Sequence, residues 1–348
     1  MIRPGRLPLA ALLLVLSACH SRPSATTHAV STPSGSDAPA ATASTVTATA
    51  ATAAAAHANE LGLIPVLEYH SVASPEARWA RTPAHLRADL ERLYRSGYYL
   101  TSLNAVLQNR IDTPAGKAPV VLTFDDSRDN QFRYLPGTPP QLDPDCAVGV
   151  LEAFTKAHPD AGKAATFFVL PESLFAQPAY ATEKLQWLVA HGYQVGNHTI
   201  THSQLRLLTD AQVDHEIGGA LAMIHKILPG YPVPALAYPD GSVPKNLALV
   251  QRYHQAGLLV GSDPAVSPLS KHWKPLLIPR IQAIDSEFTR HFTQFLDRAP
   301  SYRYVSDGDP DHFSIPDRLP AGLTGTLDPK FEHDPRLIRY HVADNKGH

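Results

Sequence analysis

The sequence predicts an α/β fold, a parallel sheet whose strands alternate with helices, wound as an α/β barrel or as an open doubly wound sheet. Three observations predict it. Short apolar runs of strand length recur at 64–69, 98–101, 119–124, 165–170, 193–196, 235–238, 258–261 and 277–281. Helix start and stop signals fall between most of them. None of the 11 Phe, 13 Tyr and 3 Trp lies in the first 59 of the 348 residues, so the folding unit is the remainder, one large domain or two small ones.

Arg3 and Arg6, an apolar stretch at 9–16 and the tetrapeptide L-S-A-C at 16–19 read as an export signal, too short to span a bilayer. Residues 20–59 hold 28 Ala, Ser or Thr among 40, with Asp37 the one acid. Such a stretch cannot offset its ordering entropy, so 19–59 is expected to be a disordered tether whose Ala-rich end, 50–58, lacks a face to dock. Strand 64–69 follows. Thr82-Pro83 then supplies an N-cap and a first-turn Pro, and Gly97 closes that helix before strand 98–101. After strand 119–124, Asp143-Pro144 opens a helix covering 148–157, strand 165–170 follows, and helix 182–191 stops at Gly192. Strand 193–196 leads to Thr209, which with Gln212 forms a capping box for a helix to Leu228. A helix at 245–256 separates strands 235–238 and 258–261. After about Arg298 the pattern fades. There the acidic run 307–312 reads as a solvated turn, and the tail from Leu319 is expected to pack back through Phe331, Leu337, Ile338 and Tyr340.

With 30 Lys+Arg against 32 Asp+Glu, the chain is not a nucleic-acid binder working by bulk positive charge. It has no phosphate-cradling loop, which disfavours a nucleotide enzyme. Its two cysteines are Cys19 and Cys146, and the second reads as a small buried residue.

In either α/β architecture, chemistry collects at the carboxyl ends of the strands. Asp125 and Asp126 directly follow strand 119–124, and two carboxylates that close raise each other's pKa unless a cation intervenes. His198 and His202 follow strand 193–196, and two imidazoles four apart meet on one face if their turn is helical. One carboxylate and two imidazoles make a three-ligand site with an open position, and the second carboxylate remains as a base.

T-F-D-D at 123–126, followed about seventy residues on by G-N-H-T-I-T-H, resembles the polysaccharide deacetylase family with the NodB homology domain, carbohydrate esterase family four. I-P-V-L-E-Y-H at 64–70, A-T-F-F-V at 165–169, L-A-Y-P-D-G at 236–241 and I-P-R-I at 278–281 extend the resemblance over roughly 62–290. It implies a distorted (β/α) barrel at 60–298, with 299–348 as a C-terminal extension. It further implies Asp125 as general base, Asp126, His198 and His202 as ligands of a divalent metal, commonly Zn2+, and an oxyanion and substrate contact in the turn at Tyr238 and Asp240. The late strand, I-P-R-I-Q-A, lacks the His that many members use as acid. The branch resembling exopolysaccharide N-deacetylases acting on poly-N-acetylglucosamine uses an early Y-H instead, which implies His70 as general acid. Ala237 stands where the third motif often carries the Arg that orients the base, and Arg280 is expected to replace it by pairing with Asp125. Ser127 replaces the usual Gly of the first motif. The stretch 127–164 is either a lip with Phe132 and Tyr134 as stacking rings or an inert loop. L-S-A-C resembles the bacterial lipobox, which implies cleavage after residue 18, acylation of Cys19 and attachment to the envelope membrane. A residue other than Asp after the Cys, here His20, often marks outer-membrane sorting. The implied function is removal of acetyl groups from N-acetylated envelope polysaccharide or exopolysaccharide. The alternatives are an O-acetyl carbohydrate esterase in the same fold and a non-catalytic carbohydrate-binding lipoprotein.

Overall fold

The computed structural model describes residues 47–137, 141–261 and 263–342; the export signal at 1–18 and Cys19 lie outside the described residues. In chain order the helices are α1 (Ala50–Ala56), α2 (Pro83–Arg95), α3 (Leu103–Leu107), α4 (Ala147–Ala157), α5 (Ala181–Ala190), α6 (Asp210–Ile227), α7 (Ala248–Gln251) and α8 (Asp285–Phe288). The strands are β1 (Val66–Tyr69), β2 (Ser71–Val72), β3 (Ala80–Arg81), β4 (Tyr98–Leu100), β5 (Ala118–Phe124), β6 (Tyr134–Leu135), β7 (Gln141–Leu142), β8 (Thr166–Val169), β9 (Gln194–Asn197), β10 (Ala235–Ala237), β11 (Ala256–Leu258), β12 (Ile281–Gln282), β13 (Phe313–Pro316) and β14 (Leu337–Tyr340).

A curled parallel sheet runs in the order β11-β10-β9-β8-β5-β1-β12, with β4 paired to the first half of β5. The segment entering β12 bridges back to β11 at Leu258–Ile278, so the curl turns towards closure and the fold is a distorted (β/α) barrel. Alternation along each strand then separates two layers. Leu67, Tyr69, Leu122, Phe124, Phe167 and Ile281 face outwards with Leu86, Leu90 and Leu93 of α2 in the larger apolar cluster. Val66, Val121, Phe168, Ala237, Leu258 and Ile278 face the lumen in a second cluster. One pleat repeat higher, towards the carboxyl ends, the lumen positions are Glu68, Thr123 and Arg280, all buried.

Several boundaries differ from the expectation. The helix expected at 245–256 is only the short α7, because the amides of Gln255 and Ala256 both donate to the carbonyl of Pro234 and start the next strand early. Helix α4 is N-capped by Cys146, whose Sγ accepts the Gly149 amide at 3.4 Å, and not by Asp143, which binds Arg133 instead. Residues 20–46 of the expected tether lie outside the described residues, and the remainder is not disordered. Residues 47–59 are structured: Thr49 and Thr52 form a capping box, Ala53 is buried, and Tyr340 packs on the helix while its hydroxyl donates to Ala58 O at 2.6 Å. A methyl face suffices there because an aromatic ring from the far end of the chain covers it.

The C-terminal extension packs back as expected through Phe331, Leu337 and Tyr340, while Ile338 joins no apolar cluster among the described residues. Strands β13 and β14 pair in parallel, and Phe313, Ile315, Leu327, Phe331 and Leu337 cluster with Leu61 and Leu269. The acidic run is no solvated turn. Asp307 is buried and accepts the Ser314 hydroxyl at 2.6 Å, while buried Glu60 accepts the amides of Asp307 and Ser314 at 3.2 and 3.0 Å. Burial holds both acids above the usual carboxylate range, so these carboxyls serve as hydrogen-bonding joints between the entering and leaving chain.

Two expectations about stability follow. Ile315 is fully buried, and Ile315→Ala should cost about 2–5 kcal/mol in a single urea transition; a separate early transition would mean that the extension unfolds independently. His254 is buried, bonds Val233 O through Nδ1 and receives the Asn197 amide at Nε2, and burial lowers its pKa from 6.5 to about 4. The unfolded imidazole takes up a proton below pH 6.5 and the folded one resists until about 4, so stability falls as pH drops through that window, by up to about 3 kcal/mol. Urea unfolding at pH 7, 5.5 and 4 should show a shallower fall for His254→Gln than for wild type, and equal slopes would refute the assignment.

Candidate functional site

The site grows out of the polar layer at the top of the lumen. Arg280 is fully buried and its Nε donates to Leu259 O at 2.7 Å. Its two terminal nitrogens fork Asp125 at 2.8 and 2.7 Å, and they also reach Thr123 Oγ1 and Glu68 Oε1, both at 3.0 Å. The Gly261 amide completes Glu68 at 2.9 Å. Burial opposes ionisation of Asp125, but the guanidinium overrides it and holds the carboxyl below its usual range. Glu68, with the smaller share of the same cation, is pushed upwards by burial.

Strand alternation would send Asp125 and Asp126 to opposite faces of the sheet. Asp126 and Ser127 instead adopt left-handed conformations, φ 79° and 45°, which folds the Asp126 carboxylate back over the mouth. Its Oδ2 is clamped by Arg128, with Nε at 3.0 Å and a terminal nitrogen at 2.9 Å. Its Oδ1 lies 3.4 Å from His198 Nε2 and 3.5 Å from His202 Nε2. Burial works against this carboxylate, but His198 and Arg128 hold it well below the usual range.

The two histidines meet, but not on a helix. Residues 198–202 form a bend with Thr199 and His202 at φ 70° and 58°. The bend is stitched from below. Asn197 Oδ1 accepts the Thr199 amide, the Asn197 side-chain amide bonds Ile217 O and His254, and Glu216 accepts the amides of Ile200 and Thr201. His198 Nδ1 donates to Ala237 O at 2.9 Å, so in the neutral imidazole it is Nε2 that carries the lone pair.

The donor set fits a divalent ion on three counts. His198 Nε2 is buried without a hydrogen-bond partner, a costly arrangement unless something binds there. Two donors on one tetrahedral ion at about 2.0–2.1 Å stand about 3.4 Å apart, which the observed separations match. Four carboxylates, Glu68, Asp125, Asp126 and Asp240, stand against three guanidinium groups, Arg280, Arg128 and Arg78, so negative charge is in excess.

These groups border a cavity of about 280 Å³ lined by His70, Trp79, Asp125, Asp126, His198, His202 and Asp240 among others. His70 reaches it from the end of β1, with one ring nitrogen within 4.8 Å of carboxylate oxygens of Glu68 and Asp125. Burial lowers its pKa to about 4. Asp240 sits in a left-handed turn at φ 53°, and its amide has no acceptor among the described residues. Tyr238 contributes differently. Its N–H is spent on Leu258 O and its hydroxyl on Leu276 O at 2.8 Å, and its ring lies over Gly257, where an added Cβ would stand 2.2 Å from the Tyr238 oxygen. It supports the turn and offers the cavity no hydrogen bond. Phe132 and Tyr134 are not stacking rings. Both are buried, and with Phe175 they cage Lys184, whose Nζ donates to Phe132 O and Gln177 Oε1.

Glu68, Arg128, Trp79 and the Asn197–His254 support were not among the sequence candidates. An acid inside the apolar run I-P-V-L-E-Y-H was the one available signal for Glu68.

Residues 112–260 match the profile of the polysaccharide deacetylase family. YxkH of Bacillus subtilis (strain 168), whose name places it with polysaccharide deacetylases, is 27% identical over 156 residues, 44% of this chain and 48% of its own. The chitooligosaccharide deacetylase of Bradyrhizobium sp. (strain ANU 289) is 32% identical over 127 residues, 36% of this chain and 48% of its own. This chain thus spans about half the length of these curated relatives. The structure of the Streptococcus pyogenes deacetylase PplD, in complex with acetate, superposes with a TM-score of 0.51 at 22% identity, over 64% of this chain and 92% of that one. The T-F-D-D and H-T-I-T-H motifs both lie inside residues 112–260, the segment of this chain that is similar to the polysaccharide deacetylase family.

Proposed function

We propose that the protein is a metal-dependent hydrolase that removes acetyl groups from N-acetylated sugars of an envelope polysaccharide or exopolysaccharide. The observation that carries this reading is the convergence of Asp126, His198 and His202 on one point, with Asp125 held alongside by Arg280 in a domain similar to this family. These three residues would hold the ion, and two imidazoles with one carboxylate suit zinc. When bound, a divalent ion supplies Lewis-acid chemistry, polarising the acetyl carbonyl and easing the ionisation of water.

The chain's own groups do the rest. Asp125 cannot rotate away from the cavity because both its oxygens are forked, and it accepts the proton of the attacking water. The Asp240 amide donates to the oxyanion as it develops. His70 delivers a proton to the leaving nitrogen. Its pKa near 4 makes it neutral at rest, so the proton that Asp125 takes from the water passes to the His70 ring, whose nitrogen lies within 4.8 Å of that carboxylate, before it reaches the leaving nitrogen. An alkoxide leaves with less help than an amine, so a positioned acid favours an amide substrate over an ester. Acylation at Cys19, with the domain held at the bacterial envelope, belongs to the same reading.

Purified Asp125→Asn should keep its metal by elemental analysis and lose at least about 100-fold in turnover of chito-oligomers or poly-N-acetylglucosamine fragments. His202→Ala should lose both metal and activity. Full activity of Asp125→Asn would refute the base, and chelator-insensitive wild-type activity would refute the metal.

A further inference from the structure

His70 is held in an unusual way for a residue that must aim a proton. Among the described residues neither ring nitrogen has a hydrogen bond, and the one carboxylate oxygen within 4.0 Å is Glu68 Oε1 at 3.9 Å from Nε2. That carboxylate is committed elsewhere, to Arg280 at 3.0 Å and the Gly261 amide at 2.9 Å. What touches the imidazole is Trp79, with ring centroids 4.6 Å apart and planes at 52°.

Trp79 is itself placed rigidly. It lies at the return of the excursion 71–81, just before β3, where its carbonyl accepts the Ser71 amide at 3.0 Å and the Arg78 carbonyl accepts Gln282 Nε2 at 2.6 Å. The next strand is locked by Arg81, which bonds Asp89 at 2.9 and 2.6 Å and Glu76 and Asp285 at 2.7 Å each. The Arg78 guanidinium lies 4.9 Å from the indole centre. An indole 38% exposed at a cavity rim, pinned from its backbone and covered by a cation, gives up apolar burial for a position.

We propose that Trp79 is the positioning residue for His70, doing by ring packing what a hydrogen-bonded carboxylate does for most catalytic histidines. The proposal rests on the deacetylase reading above and adds to it the residue that aims the acid. A positioned acid matters in proportion to how poorly the leaving group departs. An amine must be protonated as the carbon–nitrogen bond breaks, whereas 4-nitrophenolate departs without a proton.

The test compares the metal-loaded full chain with Trp79→Ala, Trp79→Phe and His70→Ala on an N-acetylated glucosamine oligomer and on 4-nitrophenyl acetate. Trp79→Ala should lower kcat on the oligomer tenfold or more with little change in KM, and this loss should exceed its loss on the aryl ester by at least tenfold. Trp79→Phe should recover most of it, and adding Trp79→Ala to His70→Ala should cost nothing further on the oligomer. Equal losses on both substrates, a change confined to KM, or full additivity with His70→Ala would overturn the proposal. Wild-type protein inactive on both substrates would defeat the deacetylase reading itself, whereas active wild type with an indifferent Trp79→Ala would defeat only this inference.

Discussion

A guanidinium buried in the lumen of a parallel barrel is the interaction on which the rest of this structure depends. Arg280 has no access to water and uses its nitrogens on Asp125, Glu68, Thr123 and Leu259 O. Burying such a charge is costly unless every donor is matched, and removing one partner strands the others. The apolar layer beneath, with the Phe168 ring 5.9 Å from the Arg280 guanidinium carbon, leaves no alternative partner. Asp125 is therefore fixed on two oxygens in an ionised state before any ligand arrives.

The second constraint is conformational. Both clusters of functional residues leave their strands through left-handed backbone, Asp126 and Ser127 after β5 and Thr199 and His202 in the bend after β9. Left-handed non-glycine residues are uncommon and persist where surrounding bonds over-determine them. Here the Ser127 hydroxyl accepts the Leu170 amide, its carbonyl accepts the Phe175 amide, and the Thr199 hydroxyl accepts the His202 amide. Ser127 in place of Gly is thus accommodated by bonds that a glycine could only partly make.

Much of this was legible in the sequence, and for definite reasons. Strand positions follow from apolar runs, and the capping box at Thr209 and the Thr82-Pro83 start are local chemistry that tertiary packing did not override. The paired aspartates and histidines stood out because charges at strand ends need a purpose. What escaped depended on distant partners. Nothing near Ala53 announces that Tyr340 will cover it, nothing near Phe132 announces the Lys184 ammonium, and nothing near 198–202 announces that Glu216 and Asn197 hold a bend there, which brings the two imidazoles together without a helical turn. Trp79 meets His70 only because an excursion returns beside its own origin, a matter of loop geometry.

The Tyr238 ring resting on Gly257 has a consequence for what the chain tolerates. Even one methyl group at 257 would collide with the phenol, lifting the strand end that carries the Asp240 peptide. A glycine in β11 thereby sets the height of a backbone amide just beyond the end of the neighbouring β10, and a substitution that looks conservative on paper would reshape the cavity wall without lining it.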